Sequence, residues 1–305
     1  MNKNKNINQL TFIAIMCSIN VVFVILNLFL PLFSLIILIG IPFASALIKI
    51  RCSWKYTFIY LICSLLICIL IDYQTTLFYL LSSIISGLTF GFLIKKNIHG
   101  FFIILISSFV NILIQFTSIY LFKILYNVDL IELFCQIISL DKNTFFNISL
   151  SFFFLISFLQ NYFSYYIIEE EIKKFNLVVD ENLTIFFPVF FIDVILTILS
   201  CVLIQFPLFS YFFTSLSLIF STYLLLYIFS SPYKRTKLFI IIFSCVILIS
   251  SFVFIGFFKE NGFHLFFNLF SLTSILNGVI FIIEVYCFQK TKISQVFNKR
   301  NDFSK

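Results

Sequence analysis

The chain has 305 residues, of which 61% are hydrophobic, 47 are phenylalanine and only 11% are charged; its mean hydropathy is +1.11. A water-soluble fold must cover itself with polar side chains, and this composition cannot supply that cover. The net charge of +7 sits in short clusters between apolar runs. That placement suits membrane orientation and contact with anionic head groups, and gives no ground for a nucleic-acid partner.

The apolar runs are continuous over about 18 residues or more, which predicts membrane-spanning helices, whereas a β-barrel would show short alternating segments. The fold class is therefore an all-α polytopic bundle. Ten spans can be placed at residues 10–30, 32–49, 54–71, 75–94, 101–125, 145–168, 183–206, 208–229, 238–258 and 265–288. The basic start "MNKNKNINQL" precedes a full-length apolar run with no small-x-small cleavage site, so the first helix is expected to be retained. Pro42 interrupts the second span and the third is barely long enough. If 32–71 forms a re-entrant hairpin, eight spans remain.

Between the fifth and sixth spans, Leu130, Leu133, Phe134 and Ile137 recur at helical spacing, with Asp129, Glu132 and Asp141 on other faces. A short helix on the outer membrane surface, or a lid over a pocket, fits this pattern. The segment "EEEIKKFNLVVDEN" (169–182) is the most highly charged inner loop. It divides the chain into a six-span region, 1–175, and a four-span region with a basic tail, 176–305.

Charge placement supports this threading. With the amino terminus inside, Lys3, Lys5, Lys49, Arg51, Lys55, Lys95, Lys96, Lys173, Lys174, Lys234, Arg235, Lys237, Lys290, Lys292, Lys299, Arg300 and Lys305 all face the cytoplasm. Only Lys123, Lys142 and Lys259 fall outside. Lys and Arg are retained on the cytoplasmic side of short loops, so both termini are expected there.

Several positions stand out against this apolar background. Ala14, Cys17 and Ser18 share one side of the first helix, and Ser83, Gly87 and Gly91 fall at successive fourth positions of the fourth. Small residues at such spacing allow close helix contact, either with a neighbour in the same chain or with a docked partner. Asp193 lies near the middle of its span, where a carboxylate costs about 2.5–3.5 kcal/mol on insertion scales. It must be protonated, paired or turned toward water, and an ion- or proton-coupled carrier centred on it is one reading. Asn20, Asn27, Asn111, Gln115, Gln160, Asn161, Gln205, Asn268 and Asn277 are suited to interhelical hydrogen bonds. Glu284 is close enough to a helix end to reach the interface.

Catalysis and cofactors are not expected. The eight cysteines form no C-x-x-C pair or zinc spacing. The paired glutamates of "EEEIKK" superficially resemble those of intramembrane CAAX-type proteases. However, Lys174 replaces that family's Arg, and the threading puts His264 on the opposite side. His99 and His264 both lie near loops, and no G-x-x-x-x-G-K-[ST] phosphate loop is present.

The stretches "LTFIAIMCSINVVF", "LFLPLFSLIILIGIPFASALI", "LFYLLSSIISGLTFGFLIKK" and "YNVDLIELF" resemble the six-helix substrate-binding (S) components of energy-coupling-factor transporters. Together with "SFLQNYFSYYIIEEEIKKFNL" and "LFFNLFSLTSILNGVIFI", they resemble the YybS-like family of bacterial membrane proteins more closely. The resemblance implies a bacterial cytoplasmic-membrane location, a small-molecule ligand taken from outside, and partnership with a transmembrane coupling subunit and its ATPases. In S components an Ala-x-x-x-Ala on the first helix contacts the coupling subunit. Ala14 matches its first position, and Ser18 replaces the second Ala. By position, Asp72, Tyr73, Gln74, Asn111, Gln115, Asp129 and Glu132 would line an outward-facing ligand site. The four extra helices depart from the S-component plan, and a non-transporting membrane scaffold using the Ser83/Gly87/Gly91 face is the rival reading.

Overall fold

The computed structural model describes residues 2–30, 33–127, 129–138, 141–173, 185–230, 271–272, 274–283 and 285. Among them every regular element is a helix: α1 (Asn2–Phe29), α2 (Phe33–Arg51), α3 (Trp54–Ile71), α4 (Tyr73–Lys95), α5 (Gly100–Tyr126), α6 (Leu130–Ile138), α7 (Lys142–Lys173), α8 (Phe186–Val202), α9 (Pro207–Ser230) and α10 (Ser274–Ile283). Seven of these are long and apolar enough to cross a membrane. The expected ninth span, the loop after residue 230, the carboxy-terminal tail, His264, Asn268, Glu284 and residues 174–182 lie outside the described residues.

The burial pattern is inverted relative to a soluble protein. Leu70 is 87% exposed, Phe29 76% and Val202 69%, while Asn20, Ser64, Ser86, Asn111, Asn161 and Asp193 are fully buried. Apolar side chains outward and polar ones inward is what lipid demands, because lipid offers no partner to a hydroxyl or an amide. The chain is a multi-pass helical membrane protein.

Two compact units form. The first contains α1 to α7 without Phe146–Ser151; the second contains those six residues and α8 to α10. In the first unit, α2 runs unbroken through Pro42 for 19 residues, about 28 Å at 1.5 Å per residue. It packs closely on α4. A Cβ added at Gly87 would lie 2.2 Å from the Pro42 carbonyl oxygen, and one at Gly91 would lie 2.6 Å from that of Ala46. After Tyr73–Thr75, α4 takes a π-helical turn, Thr76–Leu80, where the Ser118 hydroxyl of α5 donates to the Leu77 carbonyl at 3.0 Å. Asn97 and Asn127, both at φ 52°, end α4 and α5 in the left-handed conformation that Asn tolerates.

The short helix expected after the fifth span is α6. Its apolar stripe differs from the expected one in detail, since Cys135 is buried and Leu133 is 43% exposed. The reason is local: Phe134 packs against Phe145 and Phe153, which turns Cys135 inward. The Ile137 side chain lies outside the described residues.

Candidate functional site

The residues singled out on α1 differ in exposure. Cys17 is buried, its Sγ 3.3 Å from the Ser64 hydroxyl of α3. Ala14 and Ser18 are exposed, and the Ser18 hydroxyl donates back to the Ala14 carbonyl. At about 100° per residue, Ser18 sits close to Ala14 around the helix while Cys17 falls on the other side of it. The exposed ledge is therefore Ala14 and Ser18 alone. Cys17 belongs with Asn20, whose Nδ2 donates to Tyr60 Oη at 2.8 Å and to Ser64 Oγ at 3.1 Å.

Ser83, Gly87 and Gly91 are buried, and the two glycines seat Pro42, Ser45, Ala46 and Lys49 of α2. That face is occupied within the chain.

The candidate ligand-binding residues divide into two groups. Asp72 joins α3 to α4, and Tyr73 and Gln74 are the first residues of α4. Asp72 Oδ1 accepts from the Gln74 backbone N–H at 3.0 Å, and its Oδ2 accepts from the Thr75 hydroxyl. Tyr73 stacks on Tyr126, with ring centroids 4.6 Å apart. This stack brings the α3–α4 junction to the same end of the first unit as Asp129 and Glu132. There Lys123 Nζ contacts Asp129 at 2.9 Å and Lys142 contacts Glu132 at 3.8 Å. Asp129 also caps α6, accepting from the Ile131 N–H at 3.1 Å. The Lys123 ammonium beside it holds the Asp129 carboxyl below the usual carboxylate range.

Asn111 and Gln115 lie deeper. Asn111 is 15 residues before Tyr126, about 22 Å along the helix axis. Asn111 Nδ2 donates to Gln160 Oε1 at 2.9 Å, and Gln160 Nε2 donates to the Leu38 carbonyl at 3.2 Å. Ser157 donates to Gln115 at 3.3 Å. Beside them Asn161 accepts from Ser86 and donates to Ser108. Asn111 Oδ1, Ser83 Oγ and Ser107 Oγ are buried without a hydrogen-bond partner. Helices α2, α4, α5 and α7 thus enclose an amide and hydroxyl interior, with acceptor and donor capacity left over.

Asp193, in the second unit, is fully buried. Its Oδ1 accepts from Ser217 at 2.8 Å and from Ser221 at 3.1 Å; its Oδ2 accepts from Ser221 and Ser274, both at 2.9 Å. Ser217 is in turn 2.8 Å from both the Thr197 and the Ser271 hydroxyls. These partners stand 4 to 81 positions away in the chain, so no local motif announces them. The one readable trace is the recurrence of Ser210, Thr214, Ser217 and Ser221 at three- and four-residue steps along α9.

Among the described residues no group of three or more His, Cys, Asp or Glu side chains could hold a metal ion. His99 serves as a helix cap, its Nδ1 accepting from the Phe101 N–H at 3.2 Å. No protein-family model, curated protein or solved structure matches the chain.

Proposed function

We propose that this protein binds a small polar solute in its first helical unit and works with a separate energy-coupling module in a bacterial cytoplasmic membrane, its termini inside. The observation that carries the reading is the polar interior around Asn111, with the carbonyl of that residue buried and unpartnered. Buried polar atoms in native proteins are almost always satisfied, so an orphan within a shared network favours an exogenous partner. Amides and hydroxyls can both donate and accept, which suits a neutral, hydrogen-bonding solute. The reading includes no catalytic step and no cofactor.

The exposed Ala14 and Ser18 ledge supports the second half of the proposal. Coupling-subunit helices could approach closely there, because small side chains permit the van der Waals contact that drives association in lipid.

Thermal unfolding of the purified protein against a panel of water-soluble vitamins and related solutes tests the binding half. One chemical class is expected to raise the midpoint, since a ligand at 100 times its Kd stabilises by about 2.7 kcal/mol. Asn111→Leu and Gln160→Leu should abolish the response. A flat response across the panel would favour a non-transporting scaffold. For the docking half, Ala14→Leu and Ser18→Leu should each reduce co-purification with coupling-factor subunits; undiminished assembly in both would remove that claim.

A further inference from the structure

The second unit carries a feature that solute capture in the first does not use. Asp193 is enclosed by hydroxyls from three chain segments: α8, α9 and the stretch from Ser271 into α10. Among the described residues those helices contain no lysine, arginine, histidine or second carboxylate. An ionised carboxylate in a low-dielectric interior demands a compensating positive charge, and the described residues of these helices supply none.

We infer that the Asp193 cage is a binding site for a hard monovalent cation of the sodium type. Five oxygens gather in one hydrogen-bonded cluster that a cation could open: both carboxylate oxygens of Asp193 and the hydroxyls of Ser217, Ser221 and Ser274. Hard cations take oxygen ligands, and the charge of the ligand set selects the charge of the ion. One carboxylate with neutral hydroxyls balances a single positive charge. Divalent sites draw on more carboxylates or on substrate phosphates.

A proton would need less construction than this, because one hydrogen-bond acceptor suffices for a neutral carboxyl. Two of the three hydroxyls are also placed to reverse, those of Ser274 and Ser217. To ligate a cation, each must turn its proton away from Asp193 and present a lone pair. Ser274 has the Ser271 carbonyl oxygen at 2.9 Å as an outward acceptor, and Ser217 has the Ser271 and Thr197 hydroxyls at 2.8 Å. Thr197 can pass its own proton to the Asp193 carbonyl at 2.9 Å.

Two further observations point to the same ligand. Asn277, one helical turn beyond Ser274, is 1% exposed, and its Oδ1 is without a partner. Three residues on from Ser274, it shares that helix face and adds unused acceptor capacity to it. A continuous seam of buried hydroxyls (Thr197, Ser200, Ser210 and Thr214) also leads from the cage toward the α8–α9 turn. The turn is about 14 Å from Asp193 along α8, and in the proposed orientation it faces outside. The seam gives the hairpin a polar lining between the cage and the turn.

The test uses the full chain in detergent or nanodiscs, with thermal unfolding and radiolabelled sodium binding measured in sodium, potassium or choline chloride at equal ionic strength. Saturable stabilisation by sodium over choline is expected, together with stoichiometric sodium binding that Asp193→Asn abolishes. Ser271→Ala removes a backing partner and should weaken sodium affinity by about 10–100-fold, as loss of an outer-shell contact does. Should Asp193→Asn fail to fold, Ser271→Ala and Ser217→Ala still decide the matter by their sodium titrations. Equal stability in sodium and choline, or stability that follows pH alone, would overturn the inference and make Asp193 a proton holder. Either result is independent of the solute panel, which reports on the first unit.

Discussion

At the scale of single residues, close contact between helices outweighs individual hydrogen bonds. Gly87 lets α4 approach the α2 backbone so closely that a methyl group would overlap the Pro42 carbonyl. Forcing extra atoms into a packed interface costs about 1–3 kcal/mol, so Gly87→Ala and Gly91→Ala should destabilise by that amount. Gly40 provides the contrast, since a Cβ there meets only Ile36 Cγ2, at an ordinary 3.8 Å. Gly40→Ala is expected to stabilise by roughly 0.5–1 kcal/mol through reduced backbone entropy in the unfolded chain. Tyr60→Phe, which deletes the hydroxyl joining Asn20 to Ser45, should cost only about 0.6 kcal/mol, the average for interhelical bonds in lipid. Unfolding of the solubilised variants by heat or denaturing detergent would rank all four. Equal losses at Gly40 and Gly87 would contradict the packing argument.

At the scale of elements, α6 depends on a clasp that responds to pH. Asp129 caps its first turn while pairing with Lys123, and the pairing keeps its folded-state carboxyl below the ordinary carboxylate range. Asp141 is shifted the same way by its hydrogen bonds from the Thr144 hydroxyl and backbone. A carboxyl depressed in the folded state contributes stability that is fully present above its unfolded pKa and is lost as pH falls through the folded value. Residues 129–138 should therefore keep their amide protection at neutral pH and lose it on acidification below the usual carboxylate range, before the spanning helices respond. Asp129→Asn should give the acid-state exchange at neutral pH. Lys123 is exposed and Asp129 only half-buried, so the effect belongs to this helix and not to global stability. Hydrogen exchange read helix by helix distinguishes the two, and uniform loss across α5 and α6 would count against a local clasp.

At the scale of the whole molecule, seven of the ten expected spans were legible because apolar length is a local property of the sequence. The runs placed at 75–94, 101–125 and 208–229 match Tyr73–Lys95, Gly100–Tyr126 and Pro207–Ile228 within a few residues. What each helix faces was not legible. Cys17 shares a spacing with Ala14 but turns toward α3, and the serines around Asp193 are brought to it by pairings that no nearby residue encodes. Charge placement bridges the two levels. Lys49 packs over Trp54 and Phe92, Lys96 also lies over Phe92, and Arg51 over Phe12, which gathers one end of the first unit into a basic cluster. Asp72, Asp129 and Glu132 gather at the other end through the Tyr73–Tyr126 stack. Basic ends stay cytoplasmic, so an alkaline phosphatase fusion after Asn97 should be inactive and one after Asn127 active. α5 alone separates these two points, and its 27 residues reach about 40 Å, enough for one crossing. Equal activity in both fusions would mean that α5 does not span, and the acidic end could no longer be the mouth through which a solute enters.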